Sequence, residues 1–299
     1  MDRQLTQLII IIIIISYFLF AAGPYEILNL SHNARSLALN NTTSAYGGPF
    51  LQNNPASISM RTDGMSYSYL SLPANIHLGE IHYISKKNKG VRAAKIALLN
   101  YGSFLDSETN NESYAFDALI EMGYKRELKN IISVGISCGY IFSSIAGFNS
   151  QVLFSNMGVR SRLLRKRMGI GFSLENMGIL LKSYTDAKES IPALLRTSFY
   201  YKPMYIPLII NGDIVRKLDD NLFYLSSGFE LISQRRLTFR LGLNSNRSDY
   251  LTGDSLSDIL LGISGGIGFR FQKITLDIGF MNLGFSGYVV GFSISSTED

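Results

Sequence analysis

Two carboxylates and one amine lie where they could perform acid–base chemistry. Asp117, Glu121 and Lys125 are separated by even numbers of residues, so on a β-strand their side chains point to the same face. Two such carboxylates could serve as a general acid and a general base. The alternative is ion pairing with Arg35 or with arginines of other strands. We favour ion pairing, because charges on an enclosed face are usually paired.

The histidines and the single cysteine do not form a metal site. His77 and His82 are separated by an odd number of residues, so on one strand they point to opposite faces and cannot share a metal ion. His32 is predicted to be a hydrogen-bonded residue of the N-terminal segment. Cys138 has no second cysteine with which to form a disulfide. No cofactor, metal or catalytic nucleophile is therefore predicted.

Asp117, Glu121 and Lys125 belong to segments whose side chains alternate between two unlike faces. The clearest example is residues 130–143, in which the second face carries mainly serine and glycine. The apolar face consists of Ile132, Val134, Ile136, Cys138, Tyr140 and Phe142. This period of two predicts a β-strand. In a soluble sandwich the apolar face would form the core, whereas in a membrane barrel it would face lipid.

The same alternation recurs along the chain and predicts fourteen strands. They are residues 64–72, 75–86, 91–104, 112–125, 130–143, 149–160, 166–176, 193–203, 205–217, 221–232, 235–245, 258–271, 273–282 and 285–295. Most are longer than the usual ~5–6 residues of strands in globular sheets. They suit a tilted strand that crosses a membrane in ~9–11 residues.

The faces opposite the apolar ones carry charges of both signs, which decides between sandwich and barrel. Charges in a dry sandwich core are costly unless paired, whereas a wet or plugged lumen accepts them. We therefore predict an all-β fold, a transmembrane antiparallel β-barrel of about 14 strands. A polar network in its lumen is predicted to consist of Asp117, Glu121, Arg196, Asp213, Arg240 and Arg270.

The connections between the predicted strands differ at the two ends of the barrel. Connections 86–90, 126–129, 161–165, 204, 233–234 and 272 are short and flanked by basic residues, whereas 105–111, 177–192 and 246–257 are longer and contain acidic ones. Short periplasmic turns and longer external loops are typical of outer-membrane barrels. The basic turns could contact anionic lipid or a periplasmic partner, although ordinary solvated turns are the interpretation we favour.

The longest apolar loop is the candidate for contact with a partner protein. It spans residues 177–192, and its apolar and aromatic residues are Ile179, Leu180, Leu181 and Tyr184. Exposed apolar side chains on a loop often mark an interaction site. The alternative is that these residues extend the seventh strand above the membrane.

The N-terminus is typical of an export signal. Arg3 precedes an apolar run over residues 8–22 that ends in small residues, and this run is shorter than the ~20 residues needed to span a bilayer. We predict a cleaved signal peptide at residues 1–23, a plug segment at residues 24–62 and a barrel at residues 63–299. The protein is thus expected in the bacterial outer membrane with lipid as a partner, and nucleic acid is not an expected partner.

The N-terminal segment resembles the start of the PorV/PorQ family of FadL-like outer-membrane barrels. The similarity lies in residues 25–30 and 33–39 and in an N-P-A motif. The residues that carry it are Ala34, Arg35, Leu39, Asn54, Pro55 and Ala56. The resemblance implies a fourteen-stranded barrel with residues 24–62 folded into the lumen as a hatch.

Two functions of different classes follow from this resemblance. PorV/PorQ barrels serve type IX protein secretion, so the chain is expected to be a non-enzymatic docking or shuttle component with a secretion-system or surface protein as partner. A PorQ-like member would hold a PorZ-like protein. The alternative is a FadL-like transporter of hydrophobic small molecules. A third hypothesis, an enzyme acting on lipopolysaccharide, has only Asp117 and Glu121 in its support.

Overall fold

Fourteen antiparallel strands form a closed barrel in the computed structural model. The structure describes residues 25–48, 50–51, 53–59, 63–88, 90–105, 112–128, 131–184, 190–219, 222–233, 236–245 and 261–297. The predicted signal peptide lies outside the described residues. The predicted fold class is confirmed, because every strand pairs with its neighbours in sequence and β1 pairs with β14.

The strand bounds agree closely with the alternation of the sequence. They are β1 Gly64–Leu72, β2 Ile76–Lys87, β3 Gly90–Leu105, β4 Glu112–Leu128, β5 Ile132–Ile145, β6 Phe148–Leu163, β7 Met168–Lys182, β8 Leu194–Tyr201, β9 Leu208–Lys217, β10 Phe223–Ser233, β11 Leu237–Asn244, β12 Ile263–Phe271, β13 Ile274–Asn282 and β14 Tyr288–Thr297. Because Gly64 lies opposite Thr297, β1 begins and β14 ends at the same end of the barrel. We call it the periplasmic end and the opposite one the external end, as in other outer-membrane barrels.

The outer surface is apolar and the inner surface is polar along most strands. On β4, Ile120 and Met122 are 49% and 67% exposed, whereas Glu121 is 3% exposed and Lys125 is fully buried. Cys138 is exposed on the outer face of β5. This is the distribution of a barrel whose outer face contacts lipid.

The lumen contains the N-terminal part of the chain. Described residues between 25 and 59, which we call the luminal segment, include the helix α1 (Ala34–Ala38) and short 3₁₀ helices at Glu26–Leu28 and Pro55–Ser57. Further 3₁₀ turns lie in connections at Pro73–Asn75, Leu164–Lys166 and Gly284–Ser286. No helix in the described part of the chain is long and apolar enough to cross a membrane.

A β-bulge on β7 explains the largest error in the predicted strand ends. Glu175 and Asn176 both lie opposite Asn156 of β6, and the backbone φ of Asn176 is 59°. The extra residue shifts the inward–outward alternation by one position. The strand therefore continues to Lys182 instead of ending at residue 176, so the first part of the predicted 177–192 loop is strand.

Candidate functional site

The helix α1 is held against one side of the barrel wall by a buried cluster of charges. The Arg35 guanidinium donates to Glu230 of β10 at 2.7 and 3.0 Å. Arg240 of β11 donates to the same carboxylate at 3.1 Å and to Asp277 of β13 at 2.7 Å. Burial lowers the pKa of Arg35, but the Glu230 carboxylate outweighs it and raises that pKa above its ordinary value. The helix is thus fixed by a chain of alternating charges that includes residues of three strands, β10, β11 and β13.

The helix lies directly against the backbone of this wall. The amide of Ala34 donates to Ser293 Oγ at 2.8 Å, and Ser264 Oγ donates to the Ala38 carbonyl at 3.0 Å. A Cβ atom on Gly279 would lie 2.3 Å from the Ala34 carbonyl oxygen. This wall therefore needs glycine where the helix touches it. Asn33 caps the helix, since its side-chain oxygen accepts from the Ser36 amide at 2.9 Å.

The N-P-A turn is held on the opposite wall without charge pairs. Asn54 Oδ1 accepts from the Ala56 amide at 2.9 Å, and Asn54 Nδ2 donates to the Val159 carbonyl of β6 at 3.3 Å. Added Cβ atoms on Gly135 and Gly158 would lie 2.4 Å from the Ala56 nitrogen and 2.0 Å from Asn54 Oδ1. The two glycines lie opposite each other on β5 and β6 and form a notch that receives the turn.

Two barrel cations bind carbonyl oxygens of the luminal segment instead of carboxylates. Arg160 of β6 donates to the carbonyls of Tyr46 and Ser57 at 3.1 and 3.2 Å. Lys125 of β4 donates to the carbonyl of Ile58. These contacts satisfy backbone acceptors that the irregular segment would otherwise leave unpaired.

The carboxylates of the predicted acid–base pair lie in two separate networks. Glu121 binds Lys95 of β3 at 2.7 Å and accepts from Ser137 and Asn156 at 2.6 and 2.9 Å. Asp117 accepts from the hydroxyls of Tyr101 and Ser143. The prediction that these carboxylates pair with arginines is wrong. Lys95 lies directly opposite Glu121 in the β3–β4 pairing, so this lysine and not an arginine forms the ion pair with Glu121.

A third group of buried charges joins β7, β8 and β9. Arg196 of β8 donates to Glu175 at 2.9 Å and to Asp213 at 3.1 Å. Arg270, in contrast, is exposed one residue before β12 ends, so its predicted membership of the buried network is wrong. The alternation of β12 places Arg270 on the inward face, but the residue lies at the rim of the barrel.

Histidines place the luminal segment against β2. His32 has Glu80 Oε2 at 3.0 Å from Nδ1 and the Ile27 carbonyl at 2.6 Å from Nε2. Both ring nitrogens therefore have hydrogen-bond partners, one on β2 and one in the luminal segment itself. His82 Nε2 accepts from the Leu51 amide at 2.7 Å, whereas His77 is outside the lumen beside Tyr69. No group of three or more His, Cys, Asp or Glu in the described ranges could hold a metal ion.

The four residues predicted to contact a partner are divided between two faces of the barrel. Ile179 and Leu181 are 60% and 54% exposed on the outer face of β7. Leu180 packs against the buried apolar cluster in the lumen, and Tyr184 donates to Ser143 Oγ. They extend the strand rather than form a continuous loop surface, which agrees with the alternative interpretation of this segment.

A cavity of about 220 Å³ lies at the external end, above the luminal segment. Its floor includes Leu37 of α1, with Asn40 and Asn41 after the helix. The wall is mainly apolar and comes from the external ends of β1, β13 and β14. Its apolar side chains include Leu70, Leu72, Met281, Leu283 and Val289. A second cavity, of about 30 Å³, lies between the segment and Glu121, Lys95 and Glu175.

The fold matches outer-membrane channels of known structure. The toluene transporter TodX of Pseudomonas putida superposes with a TM-score of 0.58 at 13% identity over 88% of this chain and 95% of its own. The toluene transporter TbuX of Ralstonia pickettii gives 0.59 at 11% identity over 89% and 98%. A FadL homologue of Pseudomonas aeruginosa gives 0.54 at 10% identity over 90% and 98%. The fold is that of the FadL-like barrels. No protein-family model and no curated protein sequence matches the chain.

Several contact residues were absent from the predicted network. They are Arg35, Lys95, Glu175 and Glu230. Antiparallel pairing of β3 with β4 would have identified Lys95, because it lies opposite Glu121. No sequence signal assigns Arg35 to Glu230, since the contact depends on how the luminal segment crosses the lumen.

Proposed function

We propose that this chain is a FadL-like outer-membrane channel for hydrophobic small molecules. The observation that carries the proposal is the external cavity, with its apolar wall and a floor made by the luminal segment. Its volume of about 220 Å³ is below the ~300–1,000 Å³ of sites for drug-sized ligands, so it suits a compact apolar molecule. The structural neighbours TodX and TbuX, described as toluene transporters, support this class of substrate.

Passage through the barrel requires the luminal segment to move. α1 lies beneath the cavity, and its Leu37 is 2% exposed among apolar side chains of the wall. In the arrangement observed the luminal segment bounds the cavity from below, and we assign the cavity the role of a receiving site. The proposed role is non-enzymatic, and it is supported by the saturation of Asp117 and Glu121 with hydrogen bonds.

Uptake of labelled toluene and labelled fatty acid by cells that express the protein tests the proposal. Val289→Trp should fill the cavity and reduce uptake several-fold, because Val289 is 5% exposed at its wall. Val290→Trp is the matched control, since Val290 is 48% exposed on the lipid face and its change should leave uptake intact. Wild-type uptake no greater than that of cells without the protein would overturn the proposal.

The second candidate function is docking in type IX secretion, with a PorZ-like surface protein as partner. It is favoured by the attachment of the luminal segment to the wall at two places, Arg35 and the N-P-A turn. Those are the residues that resemble the PorV/PorQ family. Deletion of the gene should then abolish surface attachment of secreted proteins, with no change in toluene uptake, whereas normal attachment would exclude this role.

Export through a cleaved signal peptide is part of either proposal. The apolar run at residues 8–22 ends in Ala21 and Ala22 and is followed by Gly23, and these residues are small enough for a cleavage site. N-terminal sequencing of the protein from outer membranes should find a start near Pro24. A mature chain that begins at Met1 would contradict cleavage.

A further inference from the structure

Three cations converge on the outer face of the barrel at the periplasmic end. Lys87, Arg92 and Arg126 line a cavity of about 520 Å³, together with Asn88, Gly90 and Tyr124. All three cations are exposed. No carboxylate of the described residues forms a salt bridge with any of them, unlike the luminal cations Arg35, Lys95, Arg196 and Arg240. The cavity thus presents uncompensated positive charge, which favours an anion.

An apolar groove of about 450 Å³ lies beside the basic cavity and shares Tyr124 and Arg126 with it. Val134, Ile136 and Phe172 line it and are 38%, 43% and 45% exposed. Gly135 and Gly158, the notch that receives the N-P-A turn on the inside, also line the groove. At this point the wall is backbone alone, which leaves the outer face indented.

The two cavities lie side by side on the outer face, with Arg126 and Tyr124 of β4 between them. Gly90, beside the β2–β3 turn, pairs with Lys87 of β2 on one side and with Arg126 of β4 on the other. Tyr124 lies opposite Ile136, one inward–outward repeat deeper than Arg126 opposite Val134. A Cβ on Gly90 would lie 2.6 Å from Tyr124 Oη, so the tyrosine lies over Gly90 between the two cavities.

From this juxtaposition we propose a binding site for an anionic phospholipid of the periplasmic leaflet. The headgroup phosphate binds Lys87, Arg92 and Arg126, and one acyl chain occupies the groove between Val134 and Phe172. An acidic protein segment would match the charges but would leave the groove unfilled, and a zwitterionic lipid would fill the groove but gain less from three cations. The proposal holds whichever of the two functions applies to the lumen.

The absence of tryptophan from the chain allows a single reporter to test the site. Phe172→Trp places the reporter in the groove, and Phe239→Trp, at a position 45% exposed on the outer face of β11, is the matched control. Each variant is reconstituted in phosphatidylethanolamine vesicles that contain a minor fraction of phosphatidylglycerol, with bromine on the acyl chains of one lipid or the other. Brominated phosphatidylglycerol should quench the groove reporter well beyond its mole fraction, and the control reporter in proportion to it.

Charge removal tests the headgroup contact in the same vesicles. Lys87→Gln, Arg92→Gln and Arg126→Gln together should weaken the preference for phosphatidylglycerol by about tenfold or more, given three cations near the membrane surface. The exposed rim residues Arg236, Arg270 and Lys273 changed to Gln are the control and should leave it unchanged. A groove reporter quenched by both lipids in proportion to their amounts, or a preference that survives the triple change, would overturn the proposal.

Discussion

The luminal segment is held on opposite walls of the barrel by two different kinds of contact. On the β10–β14 side, α1 is fixed by Arg35, Glu230, Arg240 and Asp277. On the β5–β7 side, the N-P-A turn is fixed by the Gly135–Gly158 notch and by the amide of Asn54. Charge pairing depends on each partner being present, whereas a steric notch depends on a side chain being absent. Removal of a side chain should therefore weaken the contact on the first wall, whereas addition of a side chain should weaken the contact on the second.

Glu230→Ala should have the largest effect, because it removes the carboxylate that both Arg35 and Arg240 bind. Removing one partner of a buried ion pair costs about 3–5 kcal/mol. We expect a loss of this size in the free energy of unfolding in urea, measured on the barrel in lipid vesicles. An increase in single-channel conductance should accompany it if α1 leaves the wall. A loss below about 1 kcal/mol would show that the charges do not hold the helix.

Gly135→Val should destabilise the other wall by filling the notch. The added side chain would meet the backbone of Pro55 and Ala56, with the nearest atoms 2.4 Å from the new Cβ. Overpacking of this kind costs about 1–3 kcal/mol. Gly79→Val on β2 is the control, because a Cβ at Gly79 meets nothing within 4 Å, and it should leave urea unfolding unchanged. Equal stability of the two variants would contradict the notch.

Replacing each capping asparagine by serine sharpens the comparison further. Asn33 and Asn54 both accept from a nearby amide at 2.9 Å, and serine retains such an acceptor. Asn54 also donates to the Val159 carbonyl, whereas Asn33 Nδ2 has no partner among the described residues. Asn54→Ser should thus cost about 1 kcal/mol more than Asn33→Ser in urea unfolding. The reverse order would mean that the amide contact of Asn54 contributes nothing.

The sequence predicts the barrel well because the inward or outward direction of a side chain depends only on neighbouring residues of the same strand. Alternation specifies which face each residue occupies, so the strand count and most strand ends follow from the residues alone. The exception is β7, where an extra residue at Asn176 shifts the alternation by one position and hides the continuation to Lys182. Asparagine tolerates a positive φ, but nothing else in the sequence marks a bulge there.

The contacts in the lumen are harder to predict because they depend on depth and on the path of the luminal segment. Alternation places Asp117, Glu121 and Arg240 inside, and they are inside. It does not say that Glu121 pairs with Lys95 or that Arg35 reaches Glu230. It also places Arg270 on the inward face, although an inward-facing residue at the end of a strand lies at the rim and not within the lumen.

Arg240 and Arg270 both face inward but lie at different depths in the barrel, and Arg270→Gln gives the smallest expected effect. Arg240→Gln removes a cation shared by Glu230 and Asp277, so it should cost several kcal/mol in urea unfolding, about 3–5 by comparison with other broken buried pairs. Arg270→Gln should change that free energy by no more than about 0.5 kcal/mol, since an exposed side chain rarely contributes more. The two arginines face the same side of neighbouring strands, β11 and β12, and differ in distance from the rim. A large loss for Arg270→Gln would mean that this residue contacts the buried charges, and the boundary of the charged lumen would then lie closer to the periplasm than the structure places it.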